Sequence, residues 1–155
     1  ETFVFTGIHI IEPEVFRYIP TGVFYEINDK VYPQALTEGK GIFGFPVQGF
    51  WTDPSTPARY LDAQRNLLAF RGTDPPRYVS PNADRAETAR IGLHAGIEAG
   101  CVLEAHSSVE NSILWENVRV KKGVSVRNCV IGSGVTIDGD VENKVLTRYG
   151  EAPLA

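Results

Sequence analysis

The stretch that decides the fold begins with residues 91–110, which read IGLHAGIEAGCVLEAHSSVE. Aliphatic residues recur in it every six positions, at Ile91, Ile97, Leu103 and Val109. A period of six fits neither an α-helix, which repeats about every 3.6 residues, nor one long strand, which repeats about every two. It is typical of a parallel β-solenoid in which each unit contributes one short strand and a turn.

The spacing continues to residue 142, with two units that are one residue short. A five-residue step at Trp115 leads to Val120 and Val126, and a second leads to Ile131 and Ile137. A companion inward series is expected at Ala95, Cys101, Ser107, Ile113, Val124, Val130, Val135 and Val141. With three units per turn, residues 91–142 predict about three coils. A β-sandwich is the alternative, but its turns would recur about every 8–12 residues.

Residues 1–72 follow a different pattern, which predicts a mixed α/β fold. The β-branched and aromatic run from Phe3 to Ile11 predicts a buried strand, and 42–47 and 48–51 predict two more. The helices expected in this part begin after Pro13, span 27–36 with a stop at Gly39, and run from the N-cap Thr56 to about Phe70.

Glycine and proline cluster at residues 71–76 and mark a boundary between the two patterns. We therefore divide the chain into an α/β part (1–72), a linker leading to the solenoid (73–90), the solenoid (91–142) and a C-terminal tail (143–155). The chain begins with Glu1 and contains no methionine, so we expect its natural start to lie upstream.

Composition excludes several classes of protein. The 155 residues carry a net charge of −4, which argues against a nucleic-acid binder. No apolar run is long enough for a membrane-spanning helix, and no signal peptide is visible. Two cysteines, Cys101 and Cys129, are too few for a disulfide framework, so a reducing cytoplasmic location is expected.

The second half of the chain resembles the hexapeptide-repeat left-handed β-helix, a fold shared by bacterial acyltransferases and by the tails of sugar nucleotidyltransferases. The handedness is implied by this resemblance and not by the spacing. The resemblance also implies a solenoid that serves oligomerisation or regulation.

The first half resembles the C-terminal third of the catalytic domain of sugar-1-phosphate nucleotidyltransferases. The likeness rests on Phe5-Thr6-Gly7-Ile8-His9-Ile10, on Ile19-Pro20, and on GFWTDPSTPARYLDA at 49–63. The two motifs, in this order and followed by hexapeptide repeats, imply a partial Rossmann-like α/β domain. The members most similar to Thr6-Gly7-Ile8-His9 are the mannose-1-phosphate guanylyltransferases. The implied reaction joins a nucleoside triphosphate and a sugar 1-phosphate into a nucleotide sugar and releases pyrophosphate.

This resemblance implies four site residues. Asp53 would be a ligand of the catalytic Mg²⁺, which neutralises and orients the phosphates; the alternative is a turn aspartate before Pro54. Thr6 and Gly7 would lie on the substrate side, although Gly7 also suits a bulge. Trp51 is a substrate-side candidate with core packing as its alternative.

The chain departs from the family pattern in two respects. Ser55 stands where the family usually has glycine. The family's Gly-x-Gly-Thr-Arg phosphate loop, its first metal ligand and its Glu-Lys-Pro sugar segment have no counterpart in residues 1–155. One carboxylate without a phosphate cradle cannot support phosphoryl transfer, so we expect the chain to be inactive alone.

Two other classes of function remain open at the level of sequence. The chain could be a non-catalytic structural or regulatory partner that uses its solenoid for protein–protein contact. A weaker alternative is a hexapeptide acyltransferase, and the placement of the histidines disfavours it. A homo-oligomer, or pairing with a missing N-terminal segment, is expected for the nucleotidyltransferase.

Several polar residues receive structural interpretations. His94 and His106 are expected at different, solvent-exposed corners, and His9 in a buried strand or at the substrate edge. Cys101 is expected to be buried and Cys129 to be exposed near a corner. Solvated surface is expected for two further groups: Glu98, Glu104 and Glu110, and Arg119, Lys121, Lys122 and Arg127.

Overall fold

The computed structural model describes residues 2–154 and divides the chain into two compact units, Glu1–Trp51 and Thr52–Ala155. The division lies ahead of the Gly- and Pro-rich stretch at 71–76 that marks the boundary in the sequence. The helix from Pro57 therefore belongs to the same unit as the repeats.

The first unit contains three short helical segments. A 3₁₀ helix spans Pro13–Tyr18, and a π-helical turn at Ile27–Val31 continues directly into α1, Tyr32–Thr37. These segments agree with the helices predicted after Pro13 and over 27–36, and Gly39 follows the second one. Val31 and Ala35 are buried between them.

The strands predicted in the first unit are not found. Residues 2–51 contain no strand, and the run from Phe3 to Ile11 is irregular and largely exposed, with Ile10 fully exposed. The partial Rossmann-like domain is therefore not seen in this part of the chain. An apolar, β-branched run shows that side chains favour burial, but a strand also needs a paired neighbour for its backbone groups, and the described residues of this unit supply none.

The second unit begins with α2, Pro57–Phe70, whose bounds match the prediction. Thr56 is its N-cap and accepts a hydrogen bond from the backbone N–H of Arg59, and Pro57 occupies the first turn. Leu61, Ala63 and Leu68 are its buried residues. Leu61 and Leu68, seven positions apart, lie on one face of the helix, and Leu61 packs against the repeats that follow.

Twelve short strands form a parallel β-solenoid of four coils. The first coil holds β1 (Tyr78–Val79), β2 (Asp84–Arg85) and β3 (Arg90–Ile91). The next three coils hold β4 (Gly96–Ile97), β5 (Val102–Leu103), β6 (Ser108–Glu110), β7 (Ile113–Leu114), β8 (Arg119–Val120), β9 (Ser125–Arg127), β10 (Val130–Ile131), β11 (Thr136–Ile137) and β12 (Val141–Glu142). The prediction of a solenoid is confirmed.

Each strand pairs with the strand of the same rank in the next coil, which gives three sheets. We name them face A (β1, β4, β7, β10), face B (β2, β5, β8, β11) and face C (β3, β6, β9, β12). Two strands follow the fourth coil: β13 (Lys144–Thr147) extends face A in parallel, and β14 (Gly150–Pro153) returns antiparallel to it. We call β13 and β14 the terminal hairpin.

The solenoid is one coil longer than the three predicted. Its first coil lies within residues 73–90 and Ile91, most of which the sequence assigned to a linker, and part of the tail at 143–155 is the terminal hairpin. The six-residue series continues backward from Ile91 to Arg85 and Val79, and the charge of Arg85 interrupts it. The remaining sequence signal for the first coil is the pair of small residues Ala83 and Ala89, which both pack against the core.

The core is formed by two inward columns along the coils. One column contains the aliphatic series. In it, Leu114 takes the inward position that an uninterrupted six-residue spacing would give to Trp115. The other contains Ala95, Cys101, Ser107, Ser112, Val118, Val124 and Cys129. The phase resets at Asn111-Ser112, one unit earlier than predicted, so that Ile113 and Val130 point outward from face A.

Left-handed residues form the corners of the coils. Gly100, Asn117 and Gly134 take this conformation between faces A and B, and His106 and Gly123 take it between B and C. The corner between faces C and A is formed by His94, Asn111, Asn128 and Asn143, with φ between 45° and 56°. Asparagine tolerates this region better than most residues. Of this column, His94 was expected at a corner, whereas Asn111, Asn128 and Asn143 were not.

Gly123 offers a test of the corner geometry. It has a φ of 76°, and a Cβ placed on it would meet nothing within 4 Å, so Gly123→Ala adds only backbone strain. We expect a loss of about 1–2 kcal/mol in the free energy of unfolding, measured by urea denaturation. Gly139→Ala is the matched control, since its site is equally open and its φ is not left-handed. Equal stability of the two variants would contradict the assignment.

Candidate functional site

The four residues implied by the resemblance lie in different units. Thr6, Gly7 and Trp51 belong to the first unit, and Asp53 lies just inside the second. Thr6 is half-buried, Trp51 is 45% exposed, and Asp53 is exposed in an irregular segment. The roles assigned to these four residues rest on the resemblance alone.

Gly7 has a structural reason to be glycine. Its φ is 79°, in the left-handed region, and no atom lies within 4 Å of a Cβ built on it. It therefore forms a bend rather than a position inside a strand. The open space around it is compatible with close approach of a ligand, as the substrate-side prediction requires.

His9 lies beside an aromatic pair in the first unit. Its Nδ1 hydrogen-bonds the hydroxyl of Tyr32, and its ring meets the edge of Phe5 at 5.0 Å between centroids. His9 is nevertheless exposed, so the prediction of a buried strand histidine is wrong. Nearby, Tyr18 donates to Glu38 Oε2 at 2.7 Å, and this hydrogen bond raises the pKa of Tyr18.

The segment that carries Asp53 leads directly into α2, and α2 is held on face A of the solenoid. Leu61 is 2% exposed and packs against Ile113 and Val130. Gln64 donates from Nε2 to the backbone carbonyl of His94 at 2.7 Å. A hydrophobic contact and a hydrogen bond thus fix the helix that follows the proposed metal ligand.

Face A differs from the other two faces in its outward residues. Its outward column is Tyr78, Gly96, Ile113, Val130 and Val145, whereas face B carries Asp84 and Arg119. Gly96 lies where the helix comes closest: a Cβ there would be 2.9 Å from Gln64 Cδ. An apolar outward column on one face is the sequence signal for a docked helix. It was not recognised because the predicted phase of the repeats assigned Ile113 and Val130 to the inward column.

Glu104 pairs with part of the basic cluster beside face B. Glu104 accepts from Arg119 Nη1 at 3.1 Å and from the backbone N–H of Lys122, and it lies 3.4 Å from Lys121 Nζ. The hydrogen bond from Arg119 holds the pKa of Glu104 below its usual value. The basic cluster is therefore partly neutralised by Glu104, which disfavours it as a phosphate site.

A groove lies beside strands β9 and β12, at the end of face C. It has a volume of about 230 Å³ and is lined by Ser125, Arg127, Asp140, Val141 and Glu142. Asp140 Oδ1 accepts from the backbone N–H of Ser125 at 2.8 Å. Two carboxylates against one guanidinium make the groove unsuitable for an anionic sugar phosphate.

The described residues, 2–154, contain no group of three His, Cys, Asp or Glu side chains that could hold a metal ion. His94 and His106 lie at different corners of the solenoid, as predicted. His106 is exposed, but His94 is half-buried. Its Nδ1 is buried, and no partner for it is found in the described part of the chain.

Both thiols are fully buried in the solenoid. The burial of Cys101 is confirmed, whereas the expected exposure of Cys129 is wrong, because the second five-residue step, from Val124 to Cys129, turns Cys129 inward. Burial raises the pKa of both thiols. The folded chain therefore keeps them protonated to higher pH than the unfolded chain does.

The thiols predict a reactivity pattern. In the native chain neither should react with a thiol-specific chromogenic reagent at pH 8, and both should react in denaturant. As both pKa values are raised, their contribution to stability is complete below about pH 8.5 and declines as pH rises above it. Cys129→Ser should remove one of the two equivalents in denaturant. Rapid native labelling that Cys129→Ser abolishes would show that Cys129 is exposed.

Comparison with known families decides which family this solenoid represents. The family model described as the GMPPB C-terminal domain matches residues 73–151, which is half of the chain. The chain belongs to the GMPPB C-terminal domain family. The matched range begins five residues before β1 and ends inside the terminal hairpin, so the GMPPB C-terminal domain of this chain corresponds to the whole solenoid.

The curated relatives of this chain include glucose-1-phosphate adenylyltransferases. The protein of Geobacillus stearothermophilus is 28% identical over 66% of this chain and 28% of its own length. That of Bacillus cereus (strain Q1) is 29% identical over 75% of this chain and 33% of its own length. The chain thus spans about a third of the relatives that it matches. The resemblance to the C-terminal part of sugar-1-phosphate nucleotidyltransferases is confirmed.

The solved structures that resemble part of this chain include acetyltransferases. GDP-perosamine N-acetyl transferase from Caulobacter crescentus is 13% identical, with a TM-score of 0.37 over 59% of this chain and 66% of that one. The acetyltransferase domain of PglB from Neisseria gonorrhoeae gives 14% and 0.29, over 59% and 67%. These scores are too low to support a conclusion about function.

The described residues include no helix long and apolar enough to span a membrane.

Proposed function

We propose that the chain is the C-terminal portion of an enzyme that converts a nucleoside triphosphate and a sugar 1-phosphate into a nucleotide sugar and pyrophosphate. The observation that carries the proposal is the extent of the match to the adenylyltransferases. Residues 73–155 are little more than half of the chain, so a match over 75% of it must include residues ahead of the solenoid. The likeness therefore reaches residues ahead of the solenoid, including Trp51 and Asp53.

The chain alone is proposed to be inactive. Asp53 is exposed, and the described residues supply no cluster of ligands around it. The residues present therefore do not fit a complete Mg²⁺ site, and no step through the metal can be derived from them. Asp53 remains the proposed ligand that this chain would contribute to a site completed elsewhere, with Thr6, Gly7 and Trp51 on the substrate side.

The solenoid is proposed to turn in the left-handed sense that the family resemblance implies, and to serve oligomerisation or regulation. A cytoplasmic location, as expected from the two unpaired cysteines, is part of the same proposal. Sedimentation of the full chain tests the assembly role. A dimer or larger species supports it, and a monomer at high micromolar concentration opposes it.

Pyrophosphate release tests the activity. The protein encoded by the natural gene is assayed with Mg²⁺ and a panel that includes ATP with glucose 1-phosphate and GTP with mannose 1-phosphate. Release with one pair, and none from residues 1–155 alone, is the expected result. Silence across the panel would favour the alternative of a non-catalytic partner. An acyltransferase role has no supporting site, because His94 and His106 occupy separate corners.

A further inference from the structure

The corner between faces C and A carries a ladder of asparagine side chains. Asn111 donates from Nδ2 to Oδ1 of Asn128 one coil further on, and Asn128 donates from Nδ2 to Oδ1 of Asn143 at 3.1 Å. All three hold left-handed backbone conformations, which direct the side chains into one column. We call Asn111, Asn128 and Asn143 the asparagine ladder.

Arg65 of α2 binds the first member of the ladder. Its Nε donates to Asn111 Oδ1 at 2.7 Å, while its Nη1 donates to Asp62 Oδ1 at 2.6 Å. A guanidinium has donors and no acceptor, so it requires Asn111 to present its oxygen. Since each amide then offers its NH₂ group to the next coil, Arg65 sets the donor–acceptor direction of the whole ladder.

The last member of the ladder adjoins the terminal hairpin. The backbone carbonyl of Asn143 accepts from the N–H of Leu154 at 2.9 Å, and β13 begins at the next residue. Val145 and Leu154 also pack against the cluster formed by Leu61, Ile113 and Val130. The helix and the hairpin therefore share both a hydrogen-bonded column and one apolar cluster.

Arg65 is also linked to the segment that carries Asp53. It lies about two turns after the start of α2, and the N-cap Thr56 is three residues after Asp53. Holding α2 on the solenoid limits the positions available to 52–56. A ladder that breaks at Arg65 would leave α2 with Leu61 and Gln64 as its anchors.

We propose that Arg65 is a positioning residue: through the asparagine ladder it couples the docking of α2 to that of the terminal hairpin, and so fixes the segment containing Asp53. The coupling itself depends only on contacts within residues 52–154. Its consequence for catalysis rests on the proposed nucleotidyltransferase function.

Hydrogen exchange on the full chain tests the coupling. Arg65→Ala should raise exchange rates about tenfold in α2 and at least threefold in the terminal hairpin, as expected for loss of a charge-assisted hydrogen bond in a cooperative unit. Arg65→Lys, which retains a donor for Asn111, should restore part of the protection. Asp62→Ala removes the other partner of Arg65 and should leave the hairpin at the wild-type rate.

Two results from the single variants would overturn the coupling. One is faster exchange in α2 with an unchanged hairpin in Arg65→Ala. The other is an equal effect of Asp62→Ala on the hairpin. The double variant Arg65→Ala/Asn111→Ala should exchange no faster than Asn111→Ala alone, because Asn111→Ala already removes the acceptor that Arg65 binds. Additive rates would show two independent effects and contradict the proposal.

Pyrophosphate release by the protein from the natural gene tests the catalytic consequence. Arg65→Ala should lower kcat about tenfold with less than a twofold change in KM, because Arg65 is not proposed to touch substrate, and Arg65→Lys should recover part of the loss. A change in KM alone, or no change, would remove the catalytic role. Silence of the wild-type protein across the panel would instead remove the proposed function, and the exchange experiment would still decide the coupling.

Discussion

Replacing Leu114 by alanine is expected to lower the free energy of unfolding by about 3 kcal/mol, within the usual range for a buried leucine. Leu114 is fully buried, and in face A it is stacked between Ile97 and Ile131 of the neighbouring coils. Truncation would leave a cavity in the middle of the inward column, where rigid coils on both sides prevent collapse. Urea denaturation followed by circular dichroism measures the change.

Leu93→Ala is the matched control for Leu114→Ala. Leu93 lies in the same solenoid but is 51% exposed, so its truncation should cost about 1 kcal/mol or less. If the two variants unfold at the same urea concentration, the inward column has been assigned to the wrong residues. In particular, the phase of the repeats would then reset at Trp115 as the sequence suggested.

Leu61→Ala is expected to release α2 from face A, with a loss of about 2–3 kcal/mol in the stability of the second unit. Leu61 is 2% exposed and is the residue of the helix that packs in the cluster with Ile113 and Val130. A 14-residue helix has little stability of its own in water, so its amides should lose protection when this contact is lost. Hydrogen exchange and urea denaturation measure the two effects.

Leu67→Ala provides the comparison on the same helix. Leu67 is only half-buried, so we expect a change of about 1 kcal/mol or less and nearly normal amide protection. Equal loss of protection in the two variants would mean that α2 has no preferred face on the solenoid. Intact protection in Leu61→Ala would mean that the hydrogen bonds of Gln64 and Arg65 hold the helix without the apolar contact.

The solenoid could be predicted because its signal is repeated. Six-residue spacing of aliphatic residues over 91–142 leaves few alternatives, and errors of phase at the two five-residue steps did not change the fold class. They did change which side chains face inward: the first placed Ile113 in the core, and the second placed Val130 in the core and Cys129 at the surface. The first coil was missed because the exposed Arg85 stands at the position that Leu103 fills in the next coil, and because alanines at 83, 86 and 89 give only a weak apolar signal.

The first unit shows the limit of pattern-based prediction. The helices there could be predicted from local signals, namely Pro13 at a helix start and Gly39 after a helix end. The irregular conformation of residues 3–11 could not be predicted, because strand formation depends on a paired neighbour that the composition of the segment does not reveal. Phe5 and Ile8 are 56% and 78% exposed, so their apolar character did not determine their conformation.

The candidate site was predictable only through the family resemblance. Asp53, Thr6 and Gly7 have no spacing that would by itself identify a metal or substrate site. The contacts that hold α2, by contrast, could have been suspected from asparagines at 111, 128 and 143 and from the apolar outward column of face A. Each of these signals becomes visible only when the coil length is known to within one residue.

Pyrophosphate release by the protein from the natural gene tests the proposal that this chain supplies one ligand, Asp53, to a nucleotidyltransferase site. With the substrate pair that the panel identifies, Asp53→Asn should lower kcat at least about a hundredfold while leaving the unfolding curve unchanged. Asp138→Asn, an exposed aspartate on the solenoid, is the matched control and should retain activity within about twofold. Equal activity of Asp53→Asn and Asp138→Asn would contradict the account.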